Sequence, residues 1–109
     1  MREFNEKRVY KTMEIPLQNI KKIGEITGKN NMSFNEFVNV AIDNNFKSNL
    51  NKINIYKRED GEQIKLRIYE SIYKKISDFT LKNEISITKL INYCIYEEIR
   101  KYEKANKKI

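Results

Sequence analysis

The chain repeats itself at an offset of fifty-three residues, without a gap. Laid over itself at that distance, Phe34, Phe37, Val38, Ala41, Ile42 and Phe46 fall on Ile87, Leu90, Ile91, Cys94, Ile95 and Ile99. Within the two copies ten positions are identical: Ile15/Ile68, Lys21/Lys74, Lys22/Lys75, Ile23/Ile76, Thr27/Thr80, Lys29/Lys82, Asn30/Asn83, Ser33/Ser86, Asn39/Asn92 and Ile42/Ile95. A unit of about forty residues is below the size at which a lone core is usually stable, so each copy needs the other to cover its apolar face. The 109 residues are therefore expected to form one globular unit, with a first copy over 8–47, a linker over 48–61, a second copy over 62–103 and a basic tail over 104–109.

Each copy runs in the same order: an alternating stretch, a helix, a polar turn and a second helix. Gln63-Ile64-Lys65-Leu66-Arg67-Ile68 alternates polar and apolar without exception, the period of a half-buried strand. Tyr10-Lys11-Thr12-Met13-Glu14-Ile15 keeps that pattern at Met13 and Ile15 and breaks it at Lys11, which places Lys11 at a frayed strand end. Pro16 ends the strand and suits the first turn of a helix. The first helices are marked by Ile20, Ile23 and Ile26, matched by Tyr73, Ile76 and Phe79. Asn-containing turns follow at 29–32 and 82–85, and asparagine tolerates the left-handed position that ends a helix. Ser33 then caps the second helix and Glu36 completes a capping box; Ser86 repeats the cap, but Lys89 cannot close the box. In the linker, Ile53-Asn54-Ile55-Tyr56 alternates, which predicts an extended passage that packs one or two side chains.

A six-residue strand cannot stand unpaired, because its backbone groups need a ladder. The chain has two good strands, one per copy, and the economical solution pairs them antiparallel about a two-fold axis. Met13, Ile15, Ile64, Leu66 and Ile68 then face a core made by four helices. Tyr10, Thr12, Glu14, Gln63, Lys65 and Arg67 lie on the bare, polar face.

Strand, helix, turn and Ser-capped helix in about forty residues resembles the ribbon-helix-helix (Arc/MetJ-like) DNA-binding family, here in tandem over residues 8–47 and 61–103. The fold class this implies is mainly α with a two-stranded antiparallel ribbon, the two copies forming an intrachain pseudo-dimer. The chain departs from the family in carrying Asn30-Asn31 and Asn83-Glu84 where glycine is common, and in Lys11 and Glu14 on the ribbon. The resemblance implies a ribbon in the major groove and a phosphate at the N-terminus of each second helix. On that reading Lys65 or Arg67 donates to guanine, Gln63 forms two bonds with adenine, and Thr12 touches a thymine methyl. Glu14 accepts from cytosine or steers Lys65, and Tyr10 lies near Arg67 across the ribbon. Backbone amides at Ser33-Phe34-Asn35 and Ser86-Ile87-Thr88 clamp phosphates, with Lys29 and Lys82 adding attraction. Arg2, Lys7 and Arg8 form an arm that reaches a flanking phosphate. Because the paired strands differ in sequence, the site read is asymmetric, and chains line up side by side along direct repeats. Repressors and plasmid or relaxosome accessory proteins of conjugation are the roles such a tandem architecture implies, the latter with a relaxase or other DNA-processing protein as partner.

Composition bears on the same question. The net charge is +7, and both halves are basic, with nine basic against six acidic groups over 1–55 and thirteen against nine over 56–109. That distribution favours a polyanionic partner over a single basic tail. No histidine is present, no Gly-rich phosphate loop, no carboxylate cluster and no nucleophile beside a base, so an enzyme and a cofactor are not expected. No apolar run is long enough to span a membrane and residues 1–11 lack a secretory core, which points to a cytoplasmic protein without a membrane partner. The lone Cys94 reads as a buried small hydrophobe. The competing class is a protein-binding helical adaptor module, whose ribbon captures another strand by edge addition.

Overall fold

The computed structural model describes residues 7–57 and 59–107. Two strands pair antiparallel, β1 (Arg8–Pro16) with β2 (Gly61–Tyr69). Five helices complete the fold: α1 (Leu17–Asn30), α2 (Phe34–Asn45), α3 (Leu50–Ile55), α4 (Glu70–Asn83) and α5 (Ile87–Lys107). The architecture is mainly helical around one two-stranded sheet.

The repeat carries through to the element boundaries. β1 and β2, α1 and α4, and the starts of α2 and α5 are each separated by fifty-three residues. In the ladder Tyr10 faces Arg67, Thr12 faces Lys65 and Glu14 faces Gln63. Thr12 and Lys65 are themselves equivalent positions of the two copies. Asn45 and Glu98 are also equivalent, and they too meet: the Asn45 amide donates to Glu98 Oε1 at 2.9 Å where α2 crosses α5.

One face of the ribbon is core. Met13, Ile15, Leu66 and Ile68 are buried, Ile64 is half-buried, and all five pack with Ile23, Ile76, Phe37 and Leu90 from the helices. Alternation puts every second strand residue on this side, and the 3–4 spacing of the helical residues supplies the covering face.

Four local expectations need correction. Both strands are longer than the alternating runs, and Lys11 does not end β1: it stands half-buried opposite Leu66, in mid-strand. A lysine stem lies along apolar surface while its ammonium reaches water, so the inward side tolerates it. The 53–56 stretch is not extended but belongs to α3 and its C-cap, with the Asn49 side chain accepting from Lys52 N at 3.2 Å as N-cap. Ile53 is buried whereas Ile55 is exposed, a separation that helical geometry makes and a strand would not. The described residues therefore form five helices where four were expected. Finally, α5 continues through Lys107, so 104–107 is helix rather than tail, and 108–109 lie outside the described residues.

The helix ends follow their residues. Ser33 Oγ accepts from Glu36 N at 3.1 Å and Ser33 N donates to Glu36 Oε1 at 3.3 Å, closing the capping box. Ser86 Oγ accepts from Lys89 N at 3.3 Å, with no reciprocal bond open to a lysine. Asn31 (φ 52°) and Glu84 (φ 53°) hold the left-handed positions after α1 and α4.

Candidate nucleic-acid interface

The ribbon's outer face is built by strand alternation alone. Tyr10, Thr12, Gln63, Lys65 and Arg67 are exposed and Glu14 is half-buried, all on the side opposite the core. Three cross-strand rungs order them: Tyr10–Arg67, Thr12–Lys65 and Glu14–Gln63. Although Arg67 is its rung partner, Tyr10 receives the ammonium of Lys65 on its ring, 4.8 Å from the centroid. Side chains lean along a strand, so a diagonal neighbour reaches the ring. Glu14 does not engage Lys65; its Oε2 accepts from Gly61 N at 2.9 Å and ties the end of β2 to β1.

Three asparagines hold the ribbon's outer edges. From α2, Asn39 donates to Arg67 O and accepts from Tyr69 N, both at 2.9 Å. Its neighbour Asn35 accepts from Arg67 N at 2.9 Å through its side-chain oxygen, while its backbone amide, the group expected to meet a phosphate, lies in the first turn of α2. From α5, Asn92 donates to Glu14 O at 3.0 Å, the counterpart of the Asn39–Arg67 bond. The counterpart of Tyr69 is Pro16, which has no N–H to give. Asn92 Oδ1 is accordingly buried with no hydrogen-bond partner among the described residues. Asn35 was among the expected site residues, whereas Asn39 and Asn92 were not. Their signal was present, since position 39/92 is an identical polar residue on an otherwise apolar helical stripe.

The two helix N-termini sit in unlike surroundings. At α2, Ser33 and Asn35 share a hollow of about 300 Å³ with Arg8 and Arg67. Arg8 also lies over the Tyr69 ring, 4.7 Å from its centroid. The positions equivalent to Arg8 and Arg67 in the other copy are Gly61 and Glu14, so the α5 end has a carboxylate where the α2 end has a guanidinium. There Ile87 and Thr88 occupy the first turn, and the Lys89 ammonium donates to Asn54 O, docking α3 onto α5. Capping uses the amides of Ser33 and Glu36, not those of Phe34 and Asn35, which lie in the first turn of α2.

Lys29 and Lys82 are placed elsewhere. Each is in the last turn of its helix, where a cation suits the dipole. Lys29 lines a hollow with Ile99 and Tyr102, and Lys82 lines one with Phe46 and Phe79. Neither hollow includes a capping serine. Of the repeated lysines Lys21, Lys22, Lys74 and Lys75, Lys22 pairs with Glu103 at 3.1 Å and Lys75 with Asp43 at 3.6 Å. Of the N-terminal arm, Lys7 and Arg8 are described, and Arg2 lies outside the described residues.

No helix among the described residues is long and apolar enough to cross a membrane. No protein-family model, curated protein or solved structure matches the chain.

Proposed function

We propose that this chain is a sequence-specific double-stranded DNA-binding protein, a tandem ribbon-helix-helix unit that inserts an asymmetric β-ribbon into the major groove. The observation that carries the reading is the outer ribbon face, on which three rungs display tyrosine, arginine, threonine, lysine, glutamate and glutamine over an underside whose buried residues are Met13, Ile15, Leu66 and Ile68. A two-stranded ribbon fits the major groove, and these side chains match the donor and acceptor pattern of base edges there. Support for an internal two-fold comes from Thr12 facing Lys65 and Asn45 meeting Glu98, because equivalent positions meet each other only near such an axis.

The ribbon is electrostatically polarised along its length. Arg8 and Arg67 lie toward one end, Lys65 stands on the middle rung, and Glu14 and Glu62 lie toward the other end. The first turn of α2, beside Arg8 and Arg67, is the stronger phosphate anchor; the first turn of α5, beside Glu14, is the weaker. Such a module reads an asymmetric subsite, and several chains side by side on direct repeats would supply the specificity that one short ribbon lacks. Roles as a transcriptional repressor or as a plasmid or relaxosome accessory factor fit this mode of binding. Edge addition, which the adaptor reading needs, is disfavoured because Asn35, Asn39 and Asn92 already occupy outward backbone groups of both strands.

Mobility shifts on DNA flanking the gene test the proposal, comparing the native chain with Lys65→Ala/Arg67→Ala. Loss of two base contacts should weaken specific binding by at least tenfold, at about 1–3 kcal/mol for each bidentate pair. Binding by the native chain should also fall steeply as salt rises. Equal binding by the two proteins would remove the ribbon from the mechanism, and no shift at low salt would favour the adaptor.

A further inference from the structure

A hollow of about 370 Å³ opens between the start of α1, the linker helix α3 and the middle of α5. It lies away from the ribbon's outer face and belongs to neither helix N-terminus described above. Tyr56, Tyr93 and Tyr96 form its aromatic wall, with the Tyr56 ring centroid 6.1 Å from Tyr93 and 5.5 Å from Tyr96. The wall is specific to this copy, since the positions equivalent to Tyr93 and Tyr96 are Val40 and Asp43.

Asn19 supplies a second, independent observation. It lines the hollow and is only 4% exposed. Its carboxamide is not among the buried atoms left without a partner, so its polar end keeps access to the hollow. The equivalent position in the other copy is Ile72, 1% exposed, so the fold is served there by an apolar side chain. The fold does not require a carboxamide at this position, and here it faces a hollow that a ligand could fill.

The rim is cationic. Lys52 and Lys57 make no ion pair among the described residues, while Arg100 is held by Glu97 at 3.3 Å and Glu59 accepts from Gln18 at 3.2 Å. Cations outnumber carboxylates by one around the opening.

We infer that this hollow binds a planar heteroaromatic anion of mononucleotide size, with an adenine mononucleotide as the fitting class. The base packs on the tyrosine rings, and the Asn19 carboxamide donates to and accepts from the donor–acceptor edge that adenine presents. The phosphate meets Lys52 and Lys57. Volumes of this order are usual for small-ligand sites, and aromatic walls with a few polar groups are their usual lining. The inference does not depend on the DNA-binding reading.

Isothermal titration of the full chain with AMP, adenosine, GMP and inorganic phosphate tests it, in low salt and at up to millimolar ligand. AMP should bind saturably and about tenfold more tightly than adenosine, GMP or phosphate. Asn19→Ile, which copies the residue of the other repeat, should keep the fold, as read by its melting temperature, and weaken AMP binding at least tenfold. Lys52→Gln/Lys57→Gln, on the exposed rim, should weaken AMP about tenfold and leave adenosine unchanged. Lys65→Ala/Arg67→Ala should bind AMP like the native chain. Absence of saturable AMP binding, native-like binding by both hollow variants, or loss of binding in the ribbon variant would each overturn the assignment.

Discussion

Replacing Asn39 by alanine removes the two bonds that hold the outer edge of β2, to Arg67 O and from Tyr69 N, both at 2.9 Å. At a net ~1 kcal/mol per hydrogen bond, less a few tenths regained from the helix propensity of alanine, the cost should be about 1.5–2 kcal/mol. Asn92→Ala is the same change in the other copy, yet it removes one cross-element bond, to Glu14 O at 3.0 Å, and also removes the orphaned Oδ1. Release of a buried unpaired acceptor returns about 1–3 kcal/mol, so this variant should be neutral or slightly stabilising. Urea unfolding of both variants should therefore give midpoints separated by a free energy of about 2 kcal/mol, with unchanged m-values. Pro16 is the stated cause of the difference, and it can be tested directly. Pro16 has φ −54° and Tyr69 has φ −56°, so Pro16→Ala can keep the backbone and add the missing N–H. In a Pro16→Ala background, Asn92→Ala should then cost about 1 kcal/mol more than it does in the native chain, a coupling that a double-mutant cycle isolates. Equal costs for Asn39→Ala and Asn92→Ala, or no coupling between positions 16 and 92, would refute the argument.

Glu84→Gly relieves a non-glycine residue held at φ 53°, and calorimetry should show stabilisation of about 1 kcal/mol; a lower melting temperature would contradict the strain assigned there. Gly61→Ala should destabilise the chain by about 1–3 kcal/mol and free the Pro16 end of the ribbon, seen as faster amide exchange at Gly61 and Ile15, because a Cβ would stand 1.8 Å from Ile15 O. Cys94 is held protonated in the fold by burial first and by Glu98 and Glu97 next, whereas the unfolded thiol ionises from about pH 8.5. Its contribution is thus complete below that pH and lost as pH rises, by up to about 1.4 kcal/mol per unit. Cys94→Ala should flatten the alkaline fall of unfolding free energy, and identical slopes for the two proteins would count against that account. Tyr93, also raised, by burial and then by Glu97, adds to the fall at higher pH in both.

Much of the fold was legible because its signals are local. Alternation at 63–68 placed Leu66 and Ile68 in the core and Lys65 and Arg67 outside it, and the 3–4 spacing around Ile23 and Ile76 marked their helices. Ser33 and Glu36 announced their capping box three residues apart. The linker misled for the same reason: Ile53 and Ile55 alternate, but Asn49 and the Ile53–Tyr56 spacing fit a short helix equally well, and six residues do not decide between periods. Lys11 misled because polarity was read as exposure, although a long aliphatic stem can cross an apolar face.

By itself the sequence determined two copies of strand, helix and helix, and which side of each strand is wet. It did so because side-chain period and capping chemistry act within a few residues. Only the tertiary structure decided which polar groups meet. Asn35 and Asn39 turned to the edge of β2, Asn92 was left with an unpaired oxygen, Glu14 closed on Gly61, and Asn19 opened on a tyrosine-walled hollow. Those outcomes depend on segments tens of residues apart coming within hydrogen-bond distance, and no local pattern encodes that approach.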